Sequence, residues 1–405
     1  MAKASQPIRQ IALLIESSRV YGRGLLHGIA AYSAENGNWS LRHQEMAINA
    51  EPPRWLSNWK GDGVLVRAET DNMVRVIRDL GLPAIDLRCW RSSGQIPGFD
   101  TDDLSVVRLA VNHLRGRGYR RFGFCGFGGA NYSERRLNEL TAYVQSLGLE
   151  VDAYESPGPT HSTTFDAEQS GMLDEVGLAG WLTSLKKPIG VLACNDIRAQ
   201  QLLNACHELQ IRVPDEIAVV GVDNDDVICP LCSPPLTSVE PNTFRIGYEA
   251  ASLLDQMMNG TKVAAEITWV PARRIAVRSS TDAIPVDDAE FVEAYRLIRE
   301  NACRGISVQE IADAVPMSRR ALERRMREYL DRSPADVIAE MRVAHIKKLL
   351  ETTSHPLKQI ARLAGFRHDE HMAKLFKNHT GMPPGQYRKQ HRLESGAEHV
   401  PDNDL

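Results

Sequence analysis

From residue 8 to about 280 the chain alternates short, nearly continuous apolar runs with longer stretches of helical period. The runs IRQIALLIE (8–16), GVLVR (63–67), LPAIDL (82–87), RFGFCGF (121–127), PIGVLACN (188–195) and EIAVVGVD (216–223) predict strands. The stretches 22–37, 104–118 and 197–211 predict helices, the last with Leu202, Leu203, Cys206 and Leu209 on one face. Apolar strands that do not alternate, separated by amphipathic helices, predict a parallel sheet covered on both faces. Residues 1–280 therefore read as an α/β body, long enough for two lobes with parallel sheets.

The pattern changes after TDAIPVDDAE (281–290), a polar segment with Pro285 that reads as a linker. No strand-like run follows it, and 291–392 reads as an all-α domain. In 305–330, Ser307 and Glu310 form a capping box, and Ile311, Ala312 and Val315 make an inward face. Pro316 then breaks the helix and Ser318 caps a second one, whose inward face is Leu322 and Met326. Its outward face carries Arg319, Arg320, Arg324 and Arg327. This is the pattern of a helix-turn-helix, whose second helix enters the major groove. The pattern recurs: Ile360-Ala361 repeats Ile311-Ala312, and Met372 and Phe376 repeat Leu322 and Met326. The second outward face exposes Arg367, His368, Glu370, His371 and Lys374, and the amphipathic stretch 335–351 joins the two units. Ser318, Arg319, Arg320, Arg324, Arg367, His368, His371 and Lys374 are the candidate DNA contacts. Each arginine is expected to meet phosphate more often than a base edge.

Charge supports that division. The formal net charge of -4 conceals an asymmetry. Residues 1–290 hold 28 Lys/Arg against 36 Asp/Glu, 291–392 hold 20 against 12, and 393–405 add four acids and no base. A basic module on an acidic body points to an anionic partner, and the acidic tail 393–405 reads as disordered. No apolar run approaches the ~20 residues of a membrane span. Five apolar residues before Glu16 are too few for a signal peptide, so a cytoplasmic protein without a membrane partner is expected. The seven cysteines are scattered; Cys229 and Cys232 form a single CPLC without the second pair a zinc site needs. No metal and no cofactor are expected.

Polar residues gather where the predicted strands end: Glu16-Ser17-Ser18-Arg19, Asp86-Leu87-Arg88, Asn195-Asp196-Ile197-Arg198 and Asp223-Asn224-Asp225-Asp226. Ligands of open α/β sheets bind outside the carboxyl ends of the strands. Carboxylates, amides and guanidinium groups with Tyr21, Trp90 or Phe127 nearby suit a polyhydroxylated ligand.

The C-terminal hundred residues resemble the AraC-type DNA-binding domain, on Ile311-Ala312, Ser318, Leu322, Arg342, Ala344, Leu349-Leu350, Ile360-Ala361, Gly365-Phe366, Phe376-Lys377, Gly381, Pro384 and Tyr387-Arg388. The first 280 resemble the LacI-type effector domain, a periplasmic-binding-protein-like fold, on Asp100-Thr101-Asp102, CND (194–196) and VVGVDND (219–225). Tyr21, Arg23, TDD (101–103) and GVDND (221–225) further resemble AraC/LacI-type regulators of pentose catabolism. The resemblance implies a sugar-responsive transcriptional activator, with D-xylose as favoured effector, DNA as partner, a homodimer, and contact with RNA polymerase. It also implies that Asp196, Asp223, Asn224 and Arg136, or Arg135 with a one-residue shift, face the sugar. Ser17, Tyr21 and Asp102 complete the candidate ligand set. No catalytic residue is assigned. The alternative is an enzyme fused to a DNA reader, either DNA-repair methyl transfer or an amidotransferase-like body with its nucleophile elbow at FCGFGG (124–129), centred on Cys125.

Overall fold

A computed structural model describes residues 8–36, 38–158, 163–283, 286 and 288–394. The chain divides into two compact units, one through Asp282 and one from Ala283.

The first unit holds two six-stranded sheets. Along the chain run β1 (Arg9–Leu14), α1 (Val20–Asn36), β2 (Trp39–His43), β3 (Gly63–Val66), α2 (Asp71–Asp79), β4 (Ala84–Asp86), β5 (Gly98–Asp102) and α3 (Asp103–Gly116). Then come β6 (Phe122–Phe127), α4 (Asn131–Ser146), β7 (Val151–Ser156), α5 (Thr164–Leu173), α6 (Glu175–Ser184), β8 (Ile189–Ala193), α7 (Asp196–Glu208) and β9 (Ile217–Val222). The unit closes with α8 (Ile228–Leu231), β10 (Thr237–Glu240), α9 (Thr243–Met258), β11 (Ile267–Pro271) and β12 (Arg274–Ala276). One sheet is ordered β11-β5-β4-β3-β1-β2 and the other β12-β10-β9-β8-β6-β7. Every pairing is parallel except β10 with β12. The chain passes between the lobes three times, at β5–α3, β10–α9 and β11–β12.

The strand period of two explains why the apolar runs are unbroken. Ile11, Leu13 and Ile15 pack on one face of the first sheet with α1 and α9, while Ala12 and Leu14 pack on the other with α2. In the second sheet Ala218, Val220 and Val222 face α3 and α4, and Ile217 and Val219 face α6 and α7. Both faces are dry, so both parities must be apolar. In α7, Leu202, Leu203 and Cys206 are buried as the period predicts, but Leu209 is 39% exposed. The helix ends at Glu208 and Leu209 is its cap, so it leaves the face it was expected to extend.

The second unit is helical: α10 (Ala289–Asn301), α11 (Val308–Ala314), α12 (Arg319–Leu330), α13 (Pro334–Thr352), α14 (Leu357–Leu363), α15 (Asp369–Thr380) and α16 (Pro384–Glu394). The Ser307–Glu310 capping box and the Ser318 cap form as expected. One core gathers Phe291, Ile298, Ile311, Leu322 and Met326; a second gathers Ile346, Leu350, Ile360, Met372 and Phe376. The α13 helix contributes to both, which fixes the two helix-turn-helix units to one rod. Gly365, at φ +79°, brings the second turn against Gly305, where a Cβ would lie 2.7 Å from the Gly305 nitrogen. Position 365 therefore needs glycine on two counts. The expected linker loses residues 284, 285 and 287, and the expected tail all but 393 and 394, to positions outside those described.

Candidate functional site

A cavity of about 330 Å³ lies between the lobes of the first unit, at the carboxyl ends of their strands. That is at the small end of the ~300–1,000 Å³ typical of small-molecule sites. The first lobe contributes Glu16, Ser18, Arg19, Tyr21, Arg67 and Arg88, and the second Tyr132, Arg136, Glu168, Asn195, Asp196 and Asp223. Ile48, Ile197 and Ile228 supply apolar wall, and Asp100 with Arg135 sits near the first crossing.

Five arginines line this cavity, and each is already paired. Arg67 pairs with Glu16, and Arg88 with Glu69 at 2.7 Å. Arg135 joins Asp100 at 2.7 Å and Asp103 at 3.1 Å, and Arg136 joins Asp103 at 2.9 Å. Arg136 also donates to the Cys194 carbonyl, so its orientation is fixed from two sides. Arg19 of the first lobe reaches Glu168 of the second at 2.7 Å, and Arg88 donates across the cleft to Thr164. The two lobes are thus held together by charge-assisted bonds over the cavity itself. Tyr21 bonds Thr101 at 2.9 Å and Asp100 at 3.2 Å, and Tyr132 donates to Glu168 at 2.9 Å.

Asp223 is the exception. Among the described residues its carboxylate makes no hydrogen bond, although it lines the cavity. Its backbone is left-handed, φ 113°, and so is that of Asn224, φ 51°. Two consecutive non-glycine residues there cost of order 1–3 kcal/mol each and persist only where the surroundings fix them. Here the Asp223 N–H donates to the Val239 carbonyl at 3.0 Å and the Asn224 N–H to Ser238 Oγ at 3.0 Å. The Asn224 amide is clamped by Arg278 at 2.8 Å and Glu240 at 3.4 Å. Burial raises the Asp223 carboxyl above the usual carboxylate range, with Arg136 and Arg67 opposing the shift. Burial raises Asp196 as well, and the Asp223 charge adds to it.

The sequence-derived candidates fall into two groups. Tyr21, Arg136, Asp196 and Asp223 line the cavity; Ser17, Asp102 and Asn224 are not among its lining residues. Ser17 donates to Glu45, Asp102 caps α3 through the Leu104 N–H at 3.1 Å, and Asn224 braces the Asp223 turn. Asp196 lines the wall but both its oxygens are engaged: Ser238 Oγ at 2.6 Å, the Asp225 N–H at 2.8 Å and Cys229 Sγ at 3.2 Å. Arg135 and Arg136 share Asp103, so the choice between them dissolves into one bidentate cluster. Tyr132 and Glu168 escaped the sequence reading because they project from helices, not from strand ends. Among the aromatic candidates, Phe127 is fully buried under Arg198 and does not reach the cavity.

In the second unit Arg319, Arg320, Arg324 and Arg327 are exposed on α12. Arg319 pairs with Glu323 at 3.1 Å, whereas among the described residues Arg320, Arg324 and Arg327 make no side-chain hydrogen bond or close ion pair. Arg325 points the other way and is spent on Asp288 at 2.7 Å and Glu290 at 3.0 Å. On α15 and its N-terminal approach, Arg367, His368, His371 and Lys374 are exposed. Among the described residues no cluster of His, Cys, Asp and Glu is arranged to hold a metal, and no helix is long and apolar enough to cross a membrane. Cys125 is buried on β6 with its thiol pushed up to about 11, the reverse of an activated nucleophile.

A two-lobed body with a polar cleft, followed by paired helix-turn-helix units, defines a ligand-responsive transcriptional regulator. Comparison with known proteins agrees. Residues 111–281 match the periplasmic binding protein-like domain and 311–390 the helix-turn-helix domain. The chain is similar over 94% of its length to the xylose operon regulatory proteins of Haemophilus influenzae (29% identity over 385 residues, 98% of that protein) and Escherichia coli (26% over 390, 96%). The solved structure of the xylose-binding transcription activator xylR matches 95% of this chain and 99% of its own, with TM-score 0.75 and 26% identity. A LacI family regulator from Mycobacterium smegmatis shares the fold of the first unit alone (68% of this chain, all of that one, 20% identity, TM-score 0.55). The chain is a sugar-responsive transcriptional regulator that joins a periplasmic-binding-protein-like effector domain to an AraC-type helix-turn-helix domain, and it is similar over nearly its whole length to xylose operon regulators. The relatives are transcriptional regulators, and the enzyme alternative finds no support among them.

Proposed function

We propose that the chain is a pentose-responsive activator of sugar-catabolic genes, with D-xylose as its effector, acting as a homodimer that binds DNA and contacts RNA polymerase. The observation that carries the effector class is the unbonded Asp223 carboxylate in a cavity whose five arginines are all paired. Among the described residues such a wall offers acceptors and half-committed donors to hydroxyl groups and no free arginine to a phosphate. A ligand bridging Tyr21 and Arg19 to Arg136 and Asp223 would favour the closed lobes. It can shift that equilibrium only by its differential affinity for the two states. The names of the relatives support xylose, and the exposed arginines of α12 support DNA contact through this face.

A thermal-shift screen of the full chain with D-xylose, L-arabinose, D-ribose, D-glucose and a pentose phosphate tests this reading. A ligand of the folded state at a hundred times its Kd adds about 2.7 kcal/mol, a shift of several degrees for a unit of this size. D-Xylose should give that shift; a shift from the phosphate with none from free pentoses would overturn the assignment.

The raised Asp223 carboxyl adds a pH signature. Hydroxyls donate to its ionised form, so protonation competes with the sugar and affinity should rise with pH through the neutral range. Calorimetric titration at pH 5.5 and pH 8 should show clearly weaker xylose binding at the lower pH. An equal Kd at both would mean that Asp223 accepts nothing from the ligand.

A further inference from the structure

The two recognition helices are a repeat in three dimensions as well as in sequence. Helices α12 and α15 each span 12 residues, from Arg319 and from Asp369, an offset of fifty. Leu322 and Met326 occupy the same core positions as Met372 and Phe376, all fully buried. Each helix ends at a left-handed residue fifty apart, Asp331 at φ 56° and Gly381 at φ 77°. The surface positions can therefore be matched one to one. Arg320, Arg324 and Arg327 line one shallow groove along α12; their counterparts on α15 are Glu370, Lys374 and Lys377. The first position of the stripe has reversed its charge.

An acid at that position is repelled by every phosphate it approaches, so it cannot serve general affinity. Glu370 is exposed, and among the described residues its carboxylate has no hydrogen bond or ion pair, not even with Lys374 one turn on. An ionised carboxylate only accepts. On the major-groove edge of a base pair the amino donors are cytosine N4 and adenine N6, and adenine sets its N7 acceptor beside that donor, where it repels the second carboxylate oxygen. We infer that Glu370 is a specificity-determining residue that selects cytosine in the half-site engaged by α15. This rests on the reading of α12 and α15 as DNA-recognition helices. The two half-sites are then chemically unlike: the α12 face favours guanine edges and phosphates, and the α15 face demands one amino donor. Each protomer consequently sits on its half of the operator in one direction only.

The test recovers sites from random-sequence DNA with the full chain and with E370A, E370Q, E370R and R320A, all in the presence of D-xylose. Wild type should select cytosine at one position of one half-site. E370A should lose that preference alone, by about ten-fold, while the rest of the motif survives. E370Q should move it to adenine, and E370R to guanine. R320A should leave the cytosine in place, weaken binding overall and, as a lost phosphate contact, lower the salt slope by about one unit. A wild-type motif retained unchanged by E370A would overturn the inference while leaving the DNA reader intact. Recovery of no motif by wild type would overturn both. Glu370 is exposed and makes no hydrogen bond or ion pair among the described residues, so its variants should melt with the wild type.

Discussion

Substituting Asp223 with alanine is expected to weaken sugar binding about a hundred-fold and leave effector-free DNA affinity unchanged. The loss corresponds to one or two charge-assisted hydrogen bonds at roughly 1.5–3 kcal/mol each. Neither Arg136 nor Arg67 is left unpaired by the change, because Asp103 and Glu16 hold them independently. Alanine tolerates φ 113° poorly, so some backbone strain accompanies the lost charge. Asp223→Asn separates the two effects: asparagine accepts the left-handed region more readily, keeps the shape and removes the charge. Calorimetry with D-xylose and a DNA titration with and without sugar would measure both variants. Wild-type sugar affinity in Asp223→Asn would place the ligand elsewhere in the cleft.

The largest effect expected in the second unit comes from Phe376→Ala. Phe376 is fully buried and meets Tyr387 edge-on, ring centres 5.3 Å apart. Its core has only eight buried members, three of them on α13. Phe→Ala in a core costs about 3–5 kcal/mol, a large share of what so small a cluster can supply. The α14–α15 unit should therefore unfold locally, with α15 lost as a reader. Specific DNA binding should collapse toward the non-specific level while D-xylose binding stays at wild type, because no residue of that core belongs to the effector unit. A DNA affinity within two-fold of wild type would mean that α15 contributes nothing to recognition.

The parts of the fold that buried both faces of a strand were legible beforehand. IALLI and IAVVGV have no alternation to misread, and the strands they predicted are β1 and β9. The short or edge strands escaped. WSLRH of β2 and VDAYES of β7 lie at sheet margins with only one fully buried side chain between them, so nothing in their composition demands a sheet. In the helical unit α11, α12 and α13 were legible almost to the residue, since a capping box, a proline break and an internal repeat specify boundaries that hydrophobicity alone does not, whereas α10 and α16 were not singled out. The cleft was legible only in part. Strand-end clusters located it, but a carboxylate that caps a helix, such as Asp102, and one that faces a ligand, such as Asp223, are the same residue type in the same kind of turn. Three-dimensional partners distinguish them, and those partners come from elsewhere in the chain. Asp102 answers to the Leu104 N–H, two residues on; the Asp223 turn answers to Val239 and Ser238.

The threefold passage of the chain between lobes has a consequence for synthesis. The first lobe's sheet receives β1 to β5 from the opening hundred residues, but α9, which covers one of its faces, begins only at Thr243. A ribosome moving at ~5–20 residues per second needs roughly ten to thirty seconds to supply it. For that interval Leu13, Ile15, Leu65 and Ile85 lack the cover of α9, while the second lobe, continuous from α3 to β10, already has five of its six strands. The lobe begun first therefore waits for a helix made after most of the second, and the nascent effector domain carries an open apolar face until that returning helix seals it.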